Sequence, residues 1–210
     1  MARSTFIFNR ANGDQLSGWL ETPETTPRGW AIFAHCFTCG KESRTAVHVS
    51  RALSRAGIGV LRFDFAGIGS DDRTDGAISF ASDIEDLRAA AVAMTEAGMT
   101  PSLLVGHSLG GTAAIAAAAE MPSIAAVAPI GAVARDGEAT VEIAGRPFHI
   151  RRSFIDAIEK IDIEKSIASL RRPMLIMHSP LDQVVGIDHA SRIFVASSHP
   201  KSFISLDKAD

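Results

Sequence analysis

Apolar positions along the chain fall into two alternating patterns, short unbroken runs and longer stretches with helical spacing. Phe6-Ile7-Phe8-Asn9, the turn Asn12-Gly13-Asp14 and the segment Leu16 to Leu20 predict an opening antiparallel hairpin, closed by Pro23 and Pro27. Trp30 to Ala34 is continuously apolar, as a strand buried on both faces of a mostly parallel sheet requires. Residues 44–57 predict a helix with Val47, Leu53 and Ala56 on its apolar side and Gly57 at its stop. Gly59 to Phe63 follows as a strand, Asp64 to Ser70 as a glycine-rich turn, Phe80 to Gly98 as a helix, and Ser102 to Val105 as the next strand. Ala125 to Ile130, Met174 to Met177 and Ser202 to Leu206 predict three more strands, with a helix from about Ile187 to Ser197 before the last. Between them, residues 131–172 break the rhythm. Val141-Glu142-Ile143, a turn at Ala144-Gly145-Arg146, Phe148-His149-Ile150 and a helix from about Ser153 read as a small cap inserted over the sheet. Strands alternating with helices in this way specify a doubly wound α/β fold: one domain, a mostly parallel eight-stranded sheet and helices on both faces.

One stretch adds chemistry to that pattern. Leu103-Leu104-Val105 runs into Gly106-His107-Ser108-Leu109-Gly110-Gly111 and then into the alanine-rich run Thr112 to Glu120. A buried strand that ends in Gly-x-Ser-x-Gly and passes at once into helix formers is the pattern of a nucleophile elbow, with Ser108 held in a strained backbone conformation. Gly106 and Gly110 stand where a Cβ would collide as strand and helix cross. The Leu109 amide, at the helix N-terminus, is placed to stabilise an oxyanion next to Ser108. The bland alternative is a Gly-Ser turn, but the placement between strand and helix favours a nucleophile.

Composition narrows the partners. The 210 residues are 46% hydrophobic and 21% charged, with a net charge of −3 and no local cluster of lysine or arginine. That balance argues against nucleic acid and against an anionic membrane surface, and points to a small substrate that is not polyanionic. The N-terminus leads straight into a strand without a signal-peptide apolar region, and no apolar run approaches the roughly 18 residues of a membrane span, so a cytoplasmic location is expected. No cofactor is called for. The two cysteines, Cys36 and Cys39, form a Cys-x-x-Cys at the end of a strand. It can be read as small packing residues, as a redox pair, or as half of a zinc site with His35. The loop-like Phe37-Thr38 and Gly40 to Ser43 favour the first.

In an open α/β sheet, ligands bind outside the C-terminal ends of the strands, so the site must be assembled there. His35 to Thr38, Ser108 with Leu109, Asp182 and whatever follows Leu206 pass that filter. Acyl transfer by serine needs a base, an acid that fixes the imidazole tautomer, and at least two oxyanion donors. Asp182 stands where the acid belongs, and the Phe37 amide is the natural second donor. The order Ser, Asp, His calls for a histidine just after the last strand, where the chain reads Asp207-Lys208-Ala209-Asp210. His199 precedes that strand, His189 lies on the helix after the acid, His178 is held beside its strand, and His107 points away from its neighbour Ser108. His35 is better read as a support for the oxyanion loop. The base, and a helix to cover the last strand, are therefore expected beyond residue 210 in a longer parent polypeptide.

Ala34-His35-Cys36-Phe37-Thr38-Cys39, Leu61-Arg62-Phe63-Asp64-Phe65, Gly106 to Gly111, Ala144-Gly145-Arg146-Pro147-Phe148 and Met177-His178-Ser179-Pro180-Leu181-Asp182 resemble the α/β-hydrolase superfamily. They are most similar to the hydrolase half of bacterial two-domain proteins in which an OsmC-type domain follows. The resemblance implies the α/β-hydrolase fold, Ser108 as nucleophile, Asp182 as acid, Phe37 and Leu109 as oxyanion donors, and a histidine directly after the segment matching Ala209-Asp210. The function expected is that of a carboxylesterase-like serine hydrolase acting on a small ester or acyl substrate. A non-catalytic binding module, or a thiol-dependent role for Cys36 and Cys39, are the alternatives.

Overall fold

A computed structural model describes residues 1–36, 39–66, 80–134, 142–143, 146–147 and 163–209. Strands β1 (Ala2–Asn9) and β2 (Gln15–Thr22) form the opening hairpin, and Gly13 in its turn takes a φ of 90°. They are followed by β3 (Gly29–Ala34), α1 (Arg44–Arg55), β4 (Ile58–Phe63), α2 (Phe80–Glu96), β5 (Pro101–His107), α3 (Leu109–Glu120) and β6 (Ala126–Ile130). Two short strands, β7 (Glu142–Ile143) and β8 (Arg146–Pro147), come before α4 (Ile163–Leu170), β9 (Met174–His178), α5 (Ile187–Ala196) and β10 (Lys201–Ser205). Eight strands make one sheet in the order β1-β2-β4-β3-β5-β6-β9-β10, antiparallel at β1-β2 and β2-β4 and parallel from β4 to β10.

Burial on both faces explains the unbroken apolar runs. In β3, Ala31 and Phe33 join Val60, Val105, Ala128 and Ala46 of α1 on one face. Ile32 and Ala34 join Leu61, Leu104 and the residues of α2 and α3, among them Leu87 and Ile115, on the other. Helix α1 starts where Ser43 caps the Ala46 amide and ends before Gly57, whose φ of 86° turns the chain into β4. Among the described residues no helix is long and apolar enough to cross a membrane. At the far edge of the sheet Phe203 and Ile204 of β10 are 42% and 44% exposed, unlike the apolar residues of the interior strands.

The inserted segment differs from its sequence reading. Ile143 pairs with Arg146 and Glu142 with Pro147, so only Ala144-Gly145 connects the strands and Arg146 belongs to the second strand, not to the turn. Phe148-His149-Ile150, the helix expected from Ser153 and the glycine-rich turn beyond Ala66 lie outside the described residues.

Two charged clusters lock the first hairpin to the sheet. Arg62 of β4 is fully buried; its guanidinium donates to Glu21 on β2 at 3.0 Å, to the Lys41 carbonyl, and to Glu42 at 3.3 Å. Glu21 is 1% exposed, so both members of that pair are out of water. Replacing Glu21 by alanine takes away the buried counter-charge, leaving the guanidinium the Lys41 carbonyl and the half-exposed Glu42, and is expected to cost about 3 kcal/mol, read as a fall in the urea midpoint. Glu42→Ala, at the exposed end of the same cluster, is expected to cost less than about 1 kcal/mol.

The second cluster docks β1 on α2. Arg10 Nε donates to Asp86 Oδ1 at 2.5 Å and the Ala66 amide to Oδ2 at 2.8 Å. Asp83, one turn earlier, is buried beside it, and burial together with the Asp86 charge raises its pKa well above the ordinary 3.8. A carboxyl whose pKa is raised by folding favours the fold in its protonated form; that stability is complete below pH 3.8 and is lost as pH rises through the raised value. Asp83→Asn is therefore expected to raise Tm at pH 7, with the gain shrinking on acidification. Thermal melts of the two proteins across that range would show it, and a Tm difference independent of pH would contradict it.

Candidate active site

Strand β5 runs between β3 and β6 and ends at His107, so Ser108 emerges at the C-terminal edge near the middle of the sheet. Its backbone takes φ 55° and ψ −127°, a region that residues with a Cβ rarely enter, at a cost of order 1–3 kcal/mol. The surroundings hold it there. The Ser108 amide donates to the Ile130 carbonyl at the end of β6 (2.9 Å), and its carbonyl accepts from Gly111 (2.9 Å) and Thr112 (3.3 Å) as α3 begins. A Cβ on Gly110 would run into the carbonyls of Ala34 and His35, and one on Gly106 into the backbone of Gly110. The two glycines thus let α3 lie against the ends of β3 and β5, as the motif requires. Leu109 is the first helical residue, so its amide has no acceptor within the helix, and the Ser108 side chain does not cap it.

Asp182 arrives from the turn after β9, two strands away. Its Oδ1 accepts from the amides of Val184 and Val185, both at 2.9 Å, which fixes the carboxylate within its own turn. The other oxygen faces Gly131, the residue after Ile130, and a Cβ there would lie 3.5 Å from it. The turn after β6 is thus held on both sides, by the Ser108 amide on the Ile130 carbonyl and by the Gly131 amide, which donates to the Met177 carbonyl of β9 at 2.9 Å. Thr112 braces the same turn, donating to the Val133 carbonyl at 2.8 Å and accepting its amide at 3.2 Å.

The histidines separate by their partners. His178, buried in β9, donates Nε2–H to the Val185 carbonyl at 2.8 Å and lies 3.9 Å from Asp182 Oδ2, so its proton is already committed. His189 on α5 accepts the Ala134 amide at Nδ1, and His199 precedes β10, at the opposite edge of the sheet from Ser108. Buried His35 donates Nδ1–H to the Cys36 carbonyl at 2.7 Å and accepts the Phe65 amide at Nε2, which ties the end of β3 to the end of β4. Phe37, expected as an oxyanion donor, and Thr38 lie outside the described residues.

Two features escaped the sequence reading. Asp64, just past β4, accepts the Lys41 amide at 2.5 Å and the Lys41 ammonium at 2.6 Å, and its Oδ1 is 3.9 Å from His35 Nε2. Asp64 lies at a strand's C-terminal end as Asp182 does, at the head of the glycine-rich turn that follows β4 in the sequence. The cysteines are the larger correction. Cys36 and Cys39 are joined in a disulfide, not two small packing residues, and the histidine beside them is His107 rather than His35. His35 is turned away by its bond to the Cys36 carbonyl. Burial lowers the pKa of His107, partly opposed by the Asp182 carboxylate, so its imidazole is neutral at pH 7.

Residues 31–199, from β3 to the threshold of β10, match the model of the alpha/beta hydrolase family, and the chain belongs to that family. Among solved structures, the esterase domain of a Rhodothermus marinus protein is 42% identical, with a TM-score of 0.82 over 100% of this chain and 90% of that one. Two more distant structures share the fold. Est1E from Butyrivibrio proteoclasticus, solved with ferulic acid, is 21% identical (TM-score 0.82, over 96% of this chain and 88% of that one). The alpha/beta hydrolase GrgF from Penicillium sp. is 18% identical (TM-score 0.82, over 100% of this chain and 91% of that one). No curated protein sequence matches the chain.

Proposed function

We propose that the chain is the hydrolase part of a carboxylesterase-like serine hydrolase, in which Ser108 attacks a small ester or acyl substrate and forms an acyl-enzyme that water then clears. The observation that carries this reading is the Ser108 backbone at φ 55° and ψ −127° between β5 and α3. A turn that only reverses the chain has no need of that strain on a serine, whereas a nucleophile gains an exposed Oγ and a neighbouring helix amide. In this reading Leu109, and Phe37 from the loop after β3, donate to the oxyanion. Asp182 is the acid, with one oxygen held by its turn and the other available to an imidazole. His35 and His107 position the loop and the elbow. The 42% identical esterase domain from Rhodothermus marinus supports ester substrates for this chain too.

The base completes the proposal. Strand β10 runs parallel to β9 with Ser205 opposite His178, and the Leu206 amide donates to the His178 carbonyl at 2.8 Å. The residues after β10 therefore leave the sheet on the side of the Asp182 turn, and we place a histidine just past residue 210 as the base. The motif resemblance adds an OsmC-type domain after it, which the coding sequence downstream of residue 210 tests directly.

A fluorophosphonate probe, applied to the 210-residue chain and to a form extended by its natural downstream residues, tests the assignment. Mass spectrometry is expected to find the adduct on Ser108 in the extended form only. Labelling in both forms would keep the nucleophile but move the base into this chain. No adduct on Ser108 in either folded form would remove the hydrolase reading in favour of a binding module.

A further inference from the structure

Beside the elbow lies a donor set whose two sulfurs and ring nitrogen make and break no bond in ester hydrolysis. The sulfurs of Cys36 and Cys39 and a ring nitrogen of His107 all lie within 4.8 Å of one another. They come from the ends of two adjacent parallel strands, paired through Ala34 and Gly106, so the sheet itself brings the loop after β3 up to the last residue of β5. All three residues are half-buried. Two thiolates and an imidazole are the ligands of thiophilic divalent cations, and Cys-x-x-Cys is a spacing from which both sulfurs reach one ion. The disulfide closes the site in the form described.

We propose that reduction of the Cys36–Cys39 disulfide opens a three-ligand site for zinc, made by the two thiolates and the His107 imidazole, with the fourth position left to water or a small ligand. A dithiol reductant attacks one sulfur and the Cys36–Cys39 bond breaks. A mixed disulfide forms and is resolved by the reductant's second thiol, which leaves as a cyclic disulfide. Two electrons thus pass to Cys36 and Cys39, which emerge as thiols and release their protons to solvent when the cation binds. The geometric demand is small. Tetrahedral zinc with Zn–S bonds of about 2.3 Å holds its sulfurs about 3.8 Å apart, a separation that two residues with Cα atoms 5.1 Å apart accommodate. The site does not depend on Ser108 being a nucleophile, so its test is spectroscopic.

The chain is reduced with a dithiol under anaerobic conditions, freed of reductant, and titrated with Co2+ and then Zn2+, with the oxidised chain in parallel. The reduced chain is expected to bind one Co2+ with thiolate-to-cobalt charge-transfer bands and the intense visible bands of tetrahedral coordination, and to lose them as Zn2+ displaces it. The oxidised chain is expected to show neither. X-ray absorption of the zinc form should find two sulfurs at about 2.3 Å and an imidazole nitrogen at about 2.0–2.1 Å. Cys36→Ser should abolish the charge-transfer bands. His107→Gln should weaken zinc binding, measured against a chromophoric chelator, by more than the roughly 10–100-fold that loss of a mere supporting residue costs. Only weak octahedral cobalt bands in the reduced wild-type chain would overturn the site, and so would zinc absorption without an imidazole shell; neither result depends on a variant folding. Unchanged affinity in a folded His107→Gln protein would overturn the role of His107.

Discussion

Ser108→Ala, made in the chain extended to carry the histidine proposed as base, is expected to lower kcat for a short-chain nitrophenyl ester by about 10⁴–10⁶-fold with KM little changed. The hydroxyl is the only group removed. Alanine has the same Cβ as serine and so meets the same resistance to a φ of 55°, and the backbone bonds to Ile130, Gly111 and Thr112 do not involve the side chain. Circular dichroism and thermal stability should therefore stay near wild type, which separates loss of chemistry from loss of fold. A variant that hydrolyses the ester as fast as the parent would place the reaction elsewhere. If the chain were instead a binding module, ligand affinity would survive the substitution and there would be no turnover to lose.

Asp182→Asn is expected to cost about 10⁴ in kcat, again with KM little changed. The reason lies in how the carboxylate is divided. Oδ1 accepts the Val184 and Val185 amides, a task that an amide oxygen performs equally well, so the turn keeps its shape. The position of Oδ2 then holds an NH2 group, which cannot accept the N–H of an imidazole and selects the wrong tautomer for proton transfer from Ser108. Steady-state kinetics of the extended chain reads this directly. A loss of less than tenfold would show that Asp182 does not orient the base, whatever the fate of Ser108.

The two residues also differ in how readily sequence reveals them. Ser108 is announced by local spacing alone, because the glycines before and after it are required by the crossing of one strand and the helix that follows it. Both halves of that crossing are contiguous in the chain. Asp182 follows from the rule that sites form at strand ends and from the resemblance carried by Met177 to Asp182, but nothing near it in sequence shows that Gly131 leaves room for its second oxygen. Asp64, subject to the same rule, is hidden at the head of the glycine-rich turn, since its partners Lys41 and His35 lie more than twenty residues away.

Sequence by itself determined the alternation of strands and helices, the buried character of β3 to β6 and β9, and the elbow at Ser108. Each follows from side-chain period, helix stops and close-contact glycines, which act over a few consecutive residues. Tertiary structure decided strand order, and through it everything that depends on which strand ends become neighbours. Because β3 lies beside β5, Cys36 and Cys39 meet His107 and not the nearer His35. Because β4 lies beside β2, Arg62 can be buried, with Glu21 supplying its counter-charge. Such pairings are set by the packing of the whole sheet, where one register brings a charge to its partner or a sulfur to its imidazole, and no local pattern encodes that register.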